Sequence, residues 1–278
     1  YAALSGNTTA DGNTAFGGYA LQVNSTGANN VAVGAYALDA NTTASNNTTV
    51  GSYSLTQNTT GASNVALGVS ALGYNTTASN NTAVGMDALK LNTTGANNTA
   101  VGHNSLDANT EGGLNTAVGS ASLGSNTTGV ENTAVGVSSL TANTTASYNT
   151  AMGRSALTTN TTGANNTAIG YDALNANTTA ANNTAVGYNS LVANTTGAQN
   201  TGVGHTAGAG ITTGDYNQAF GYQSMSGGTV TGDSNSGFGA ATLYALTSGA
   251  NNVAVGRNAL IANTTASNNT AVGYNAGT

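Results

Sequence analysis

A glycine that recurs every 17 residues constrains this chain more than any other feature of its sequence. The recurring glycines are Gly17, Gly34, Gly51, Gly68, Gly85, Gly102, Gly119, Gly136, Gly153, Gly170, Gly187, Gly204, Gly221, Gly239, Gly256 and Gly273. One step, from Gly221 to Gly239, is 18 residues long. Sixteen copies at near-constant spacing predict a repeat protein in which each unit is one layer of a stack and is stable only against its neighbours.

The residues before each glycine alternate with a period of two. In the run NTAVG at 98–102, threonine is followed by a small residue and then by an apolar residue, and the glycine comes next. This alternation is typical of a short strand. The residue directly before the glycine is apolar in all sixteen copies, so we expect it to be buried. Leucine stands four residues after most of the glycines and indicates a second short strand.

These patterns predict an all-β fold, a parallel β-solenoid (β-roll) of about sixteen 17-residue coils. Each coil is expected to contain a strand, a tight glycine corner, the second strand around leucine, and a longer Asn/Thr corner. The invariant glycine should hold a positive φ, or lie where a Cβ would strike the next layer. A later glycine such as Gly27 alternates with alanines such as Ala44, so it should not need a left-handed backbone. No apolar 3.6-residue spacing persists, so helices are not expected.

The repeat covers the whole chain, and we expect residues 1–278 to form a single solenoid domain. Within it, regular coils should occupy 1–205 and 250–278, and irregular coils 206–249. Because the sequence begins and ends inside a repeat, we expect a mature product or a segment of a longer fibre.

Several substitutions define the irregular stretch. Gly208 takes the position of leucine, Ile211 takes that of an asparagine, and an extra residue enters near 227–228. Phe220 and Phe238 replace the valine before the glycine. We expect a bend or bulge in which these bulky rings refill the core.

Composition excludes several classes of function. Only 4% of the residues are charged, and Lys90, Arg154 and Arg257 are the only Lys or Arg in a chain of net charge -6. Such a chain has no basic patch for nucleic acid. No apolar run approaches the roughly 20 residues that a membrane helix needs, so membrane insertion of this segment is not expected. The lack of cysteine excludes disulfides and thiolate metal sites.

The run NTAVGYNSL at 183–191, followed by Asn194-Thr195-Thr196-Gly197, resembles the repeats of YadA-like trimeric autotransporter adhesin heads. It is also similar to the repetitive shafts of tail-fibre-like proteins of bacteria and phages. The resemblance implies a parallel β-roll, left-handed in the adhesin heads, with three chains side by side on a cell surface or virion and a role in attachment. Alanines such as Ala32 and Ala37 are expected to form a smooth face that another chain can approach.

The repeat spacing argues against catalysis, because it separates the groups that would have to meet. His103 and His205 occupy equivalent positions six layers apart, about 29 Å at the usual strand spacing. We therefore predict that the chain is not an enzyme and needs no cofactor. Asp215 and Asp233 lie in adjacent layers, about 5 Å apart, and are the only candidate metal ligands. Calcium would suit them if backbone carbonyls joined in, and solvated corner residues are the alternative.

Asn-x-Thr/Ser sequons recur at one corner of the coil and are candidate N-glycosylation sites. They begin at Asn7, Asn24, Asn41, Asn58, Asn75, Asn92, Asn126, Asn143, Asn160, Asn177, Asn194 and Asn263. Turn-forming asparagines in a stacked polar ladder would explain the same pattern without any modification.

Aromatic residues line up just after the glycine in successive layers. Tyr171, Tyr188, His205 and Tyr222 form one such row, which is a candidate surface for sugar rings. A shorter row, Tyr19, Tyr36 and Tyr53, lies one position later in its coils. Each row could instead stack on itself or pack against a neighbouring chain.

The sequence thus favours a structural, non-enzymatic extracellular segment of a fibre or adhesin head, a homotrimer or a filament, with surface carbohydrate as a candidate partner. One alternative is a glycosylated filament with a purely mechanical role. Another is an ice-binding solenoid, although adjacent threonines such as Thr42 and Thr43 would point to opposite faces of a strand.

Overall fold

The structure, a computed structural model, describes residues 2–277 and contains only strands, turns and bends among them. Sixteen strands of three residues each occur in this range. They are β1 (Thr14–Phe16), β2 (Val31–Val33), β3 (Thr48–Val50), β4 (Val65–Leu67), β5 (Thr82–Val84), β6 (Thr99–Val101), β7 (Thr116–Val118), β8 (Thr133–Val135), β9 (Thr150–Met152), β10 (Thr167–Ile169), β11 (Thr184–Val186), β12 (Thr201–Val203), β13 (Gln218–Phe220), β14 (Ser236–Phe238), β15 (Val253–Val255) and β16 (Thr270–Val272).

The described residues group into two compact units, 2–138 with strands β1–β8 and 139–277 with strands β9–β16. Within each unit every strand pairs in parallel with the next strand along the chain. Val101 lies directly opposite Val118, one 17-residue coil later. The predicted all-β parallel solenoid is therefore confirmed.

The strands place their small central residue inside the coil. Ala100 is fully buried, whereas its neighbours Thr99 and Val101 point outward and are half-buried. The prediction that the residue before the glycine is buried is wrong for this chain. The predicted smooth alanine face is also wrong, because Ala32 and Ala37 lie in the core of their own coils, with no exposed surface.

The leucine segment is a turn and not the predicted second strand. Leu89 has φ 52°, which is left-handed backbone and incompatible with an extended strand. This conformation aims the N–H of Leu89 at the carbonyl of Ser105 in the next coil, 3.0 Å away. The side chain of Leu89 is fully buried, so burial and inter-coil hydrogen bonding offset the strain of a left-handed leucine.

The invariant glycine meets both demands predicted for it. Gly102 has φ 136°, and a Cβ placed on it would lie 2.6 Å from the carbonyl oxygen of Gly119 in the next coil. No L-residue fits such a corner without strain. The later glycine, Gly27, lacks a positive φ, as its exchange with alanine predicted.

Two columns of buried asparagines complete the core. In the first, Asn41 Nδ2 donates to Asn24 Oδ1 at 2.8 Å and to the carbonyl of Ala44 at 3.0 Å. In the second, the backbone N–H of Asn47 donates to Asn30 Oδ1 at 3.0 Å. Side-chain amides thus satisfy backbone groups at the corners, where no strand continues.

The irregular coils replace the first asparagine column by an apolar one. Ile211 and Val230 pair in a parallel bridge and are fully buried, as is Leu246. The extra residue therefore enters between β13 and β14, near its predicted place. Phe220 and Phe238 do not refill the core, because both lie on the outward side of their strands and stack on each other at 5.0 Å.

Candidate functional sites

The outward residues of the strands form an uncharged face in each unit, which we call the sheet face. Its first row is mostly threonine, and its second row, directly before the glycines, is apolar throughout. The second row is incompletely covered: Val50 is 43% exposed, Met152 42% and Ile169 39%. Runs of exposed apolar side chains of this kind are typical of protein contact surfaces.

The predicted aromatic row stacks on itself. Ring centroids are 5.4 Å apart for Tyr171 and Tyr188, 5.0 Å for Tyr188 and His205, and 5.5 Å for His205 and Tyr222. The guanidinium of Arg154 lies over Tyr171, 5.9 Å from the ring centroid. The ring faces inside the row are covered by one another, so within the row it is mainly ring edges that face solvent.

The carboxylates of Asp215 and Asp233 accept backbone hydrogen bonds. Asp215 Oδ1 accepts from the N–H of Ala198 at 2.7 Å, and Asp233 Oδ1 accepts from the N–H of Asp215 at 2.8 Å. Ser45 plays the same part in a regular coil, where its Oγ accepts from the N–H of Ala28 at 2.9 Å. The two aspartates therefore cap the preceding coil. Within residues 2–277 no group of three or more metal-ligating side chains occurs.

The interior sequon asparagines are inaccessible in the fold. Asn24, Asn75 and Asn160 are fully buried, and so are the other candidate asparagines named above that lie between 24 and 194. Their Nδ2 atoms, to which a glycan would be attached, donate hydrogen bonds in the core. A glycan at these positions is incompatible with this fold, whereas the half-buried Asn7 and Asn263 lie in coils nearer the ends of the described residues.

The comparisons with known proteins identify no family. No protein-family model matches the chain, and no curated protein has a significantly similar sequence. The part of the chain that the structure describes contains no helix long and apolar enough to span a membrane.

Sequence reasoning missed a surface cavity of about 370 Å³ in the unit 2–138. Tyr53, Thr56, Gln57, Ser70, Gly73, Tyr74 and Lys90 line it. The signal was present in the sequence as a glycine, Gly73, at a position where the coils before and after carry Thr56 and Lys90. A glycine at this position opens a cavity because the same coil also carries Ser70 where the three preceding coils carry tyrosine.

A small charged cluster lies at one edge of this cavity. Lys90 Nζ is 3.1 Å from Asp87 Oδ1, and Asp107 follows Lys90 in the next coil. Partial burial raises the pKa of the Asp107 carboxyl, and the nearby Asp87 carboxylate adds to the rise. Hydrogen bonds from backbone N–H groups and the charge of Lys90 oppose it. The one lysine of the cluster is thus paired, and two carboxyl groups lie beside it.

Proposed function

We propose that this chain is a segment of a non-enzymatic extracellular fibre or adhesin head, that it assembles as a homotrimer through its sheet face, and that it mediates surface attachment. The observation that carries the proposal is the sheet face, whose apolar row is only partly covered by its own chain. A second chain packed against this row would bury valines that otherwise face water, at roughly 25 cal/mol per Å².

The absence of charge from the sheet face supports assembly between copies of the same chain. Neither outward row carries an ionisable residue in any strand, so identical faces meet without repulsion. Attachment itself is supported by the resemblance of the NTAVG repeats to those of adhesin heads and tail-fibre-like shafts.

Native mass measurement of the purified chain tests the assembly. We expect three chains per particle. The double variant Val101→Glu with Val135→Glu should dissociate it, because carboxylates would be buried at the interface. The matched control is Thr94→Glu, at an exposed corner position that carries Glu111 in the next coil. A monomer at high concentration would contradict the trimer, and long polymers that tolerate the double variant would favour the mechanical filament.

Ice binding is a second candidate, favoured by one observation on the same surface. Thr82, Thr99 and Thr116 lie directly opposite one another on the outward row of successive strands. Thr42 and Thr43 lie in a corner outside the strands, so the expectation that they point to opposite strand faces does not apply. Thermal hysteresis from a monomeric chain, abolished by Thr99→Tyr, would favour ice binding over the trimer.

A further inference from the structure

The cavity of about 370 Å³ lies where a stack of tyrosines stops. The rings of Tyr19 and Tyr36 are 4.9 Å apart, and those of Tyr36 and Tyr53 are 5.2 Å apart and nearly parallel. The next coil carries Ser70 at the equivalent position, so no ring covers the far side of Tyr53. Tyr53 is 50% exposed and is one of the residues that line the cavity.

A second small residue in the same coil enlarges this opening. Gly73 stands where the coil before has Thr56 and the coil after has Lys90. The backbone of Gly73 does not have a positive φ, so its conformation does not require glycine. The small residues Ser70 and Gly73 thus leave a gap between the coil of Tyr53 and the coil of Lys90.

Apart from Gly73 and a second tyrosine, Tyr74, the rest of the lining is polar and has unused hydrogen-bonding capacity. Within residues 2–277 the hydroxyl of Ser70 and the carboxamide of Gln57 have no hydrogen-bond partner. Thr56 Oγ1 donates to Asp39 Oδ1 at 2.6 Å, which leaves its lone pairs free to accept. Lys90 is paired with Asp87 at 3.1 Å, so the cavity presents no unpaired charge.

We propose that this cavity binds a neutral pyranose ring, stacked on the exposed face of Tyr53. The C–H face of a pyranose carries slight positive charge and suits the electron-rich face of an aromatic ring. The hydroxyls around its rim are donors and acceptors that match Ser70, Gln57 and Thr56. A cavity of this volume is within the usual range for small-molecule sites.

The chemistry of the lining favours a neutral sugar over other small ligands. A flat apolar ligand would leave the polar groups of the cavity without partners, which weakens binding. An acidic sugar would bring its carboxylate close to Asp87 and Asp107, and Lys90 is already engaged. The site lies within one chain, so the inference does not depend on trimer formation or on a role in attachment.

Saturation-transfer NMR with neutral hexoses and N-acetylhexosamines tests the proposal, with affinities expected at about the millimolar level. Ser70→Tyr should reduce the affinity about tenfold or more, because the new ring would cover Tyr53 as Tyr53 covers Tyr36. The substitution suits the fold, since tyrosine already occupies this position in three coils. Ser155→Tyr, at the equivalent position of the other unit, is the matched control and should leave binding unchanged.

A second pair of variants tests the cavity without adding a ring next to Tyr53. Gly73→Gln should fill the cavity and abolish binding, and glutamine is tolerated at this position in the coil of Gln22. Gly124→Gln makes the same change two coils beyond Lys90 and should have no effect. No transfer from any neutral sugar, or transfer that survives both Ser70→Tyr and Gly73→Gln in folded protein, would overturn the proposal.

Discussion

Asn75 donates one hydrogen bond to Asn58 Oδ1 at 2.8 Å and a second to the carbonyl of Ala78 at 3.0 Å. Its own Oδ1 accepts from Asn92 Nδ2 at 2.9 Å. Asn75 therefore connects three consecutive coils while remaining fully buried. The column works like a ladder of side-chain amides that holds the corners in register where the strands are absent.

Replacing one member of this column should be costly. Asn75→Ala leaves the buried Asn58 Oδ1 without its donor and removes one of the two donors to the carbonyl of Ala78, which keeps the bond from Asn64 Nδ2. We expect a loss of about 1–3 kcal/mol in the free energy of unfolding. Thr77→Ala, at an exposed position of the same corner, is the control and should change stability by less than about 0.5 kcal/mol. Urea denaturation measures both. Equal small effects would show that the ladder does not stabilise the fold.

The invariant glycine should not tolerate any side chain. In Gly102→Ala the new Cβ would lie 2.6 Å from the carbonyl oxygen of Gly119, at a φ of 136° that alanine avoids. We expect destabilisation of at least about 3 kcal/mol, or failure to fold.

The later glycine of the coil provides the control for this prediction. Gly112 lies between Gly95 and Gly129, and interior alanines of this column, such as Ala78, lie between two glycines in the same way. A Cβ on Gly112 would lie 2.4 Å from the carbonyl oxygen of Gly129, but other coils accommodate alanine in this column and the φ of Gly112 is not positive. Gly112→Ala should therefore cost clearly less than Gly102→Ala. Thermal melts of the two variants distinguish a conformational requirement from simple crowding, and equal losses would contradict the assignment.

The sequence alone predicted the stacking of coils, because a constant 17-residue spacing together with the period-two alternation before each glycine indicates aligned parallel strands. It also predicted the positive φ of the glycines. It did not show which side of the strand faces inward, since alternation defines two faces without orienting them. Hydrophobicity pointed to Val101, but Leu106 and the asparagines already fill the coil and leave room only for the methyl of Ala100.

The functional surfaces were harder to predict than the fold. Turn propensity explained the asparagines of the sequons equally well as exposed corner residues, so their burial was not expected. The cavity beside Tyr53 arises from small residues in two adjacent columns, Ser70 and Gly73. The sequence does not show this, because the columns of Ser70 and Gly73 lie side by side only through the turn of positive φ at Ser70 and Leu72.

The stability of the chain should depend on the ionisation of Asp107. Because its pKa is raised in the folded state, the folded chain binds this proton more tightly than the unfolded chain. The associated stability is fully present below the ordinary pKa of 3.8 and is lost as the pH rises through the higher folded-state value. Asp107→Asn should therefore gain stability relative to the native chain as the pH increases from acid to neutral. Urea midpoints of both chains across this range measure it, and a constant difference would contradict it.

Gly208 and Ile211 should be energetically coupled, because the isoleucine occupies space that leucine fills in a regular coil. A Cβ on Gly208 would lie 3.1 Å from Ile211 Cδ1 and 2.6 Å from Leu191 Cδ2. Gly208→Leu alone should overpack the core, and Ile211→Asn alone should leave a void, each costing about 1–3 kcal/mol.

The double variant Gly208→Leu with Ile211→Asn restores the regular pattern of leucine and asparagine in this coil. The new carboxamide could donate to the Oδ1 of Asn194, as each asparagine does to the one before it, and the φ of 66° at Gly208 is close to that of the other leucines. We therefore expect the double variant to lose less stability than the sum of the single changes, by about 1 kcal/mol or more. Denaturant titrations of all four chains give this coupling. Strict additivity would mean that Ile211 does not compensate for the missing leucine.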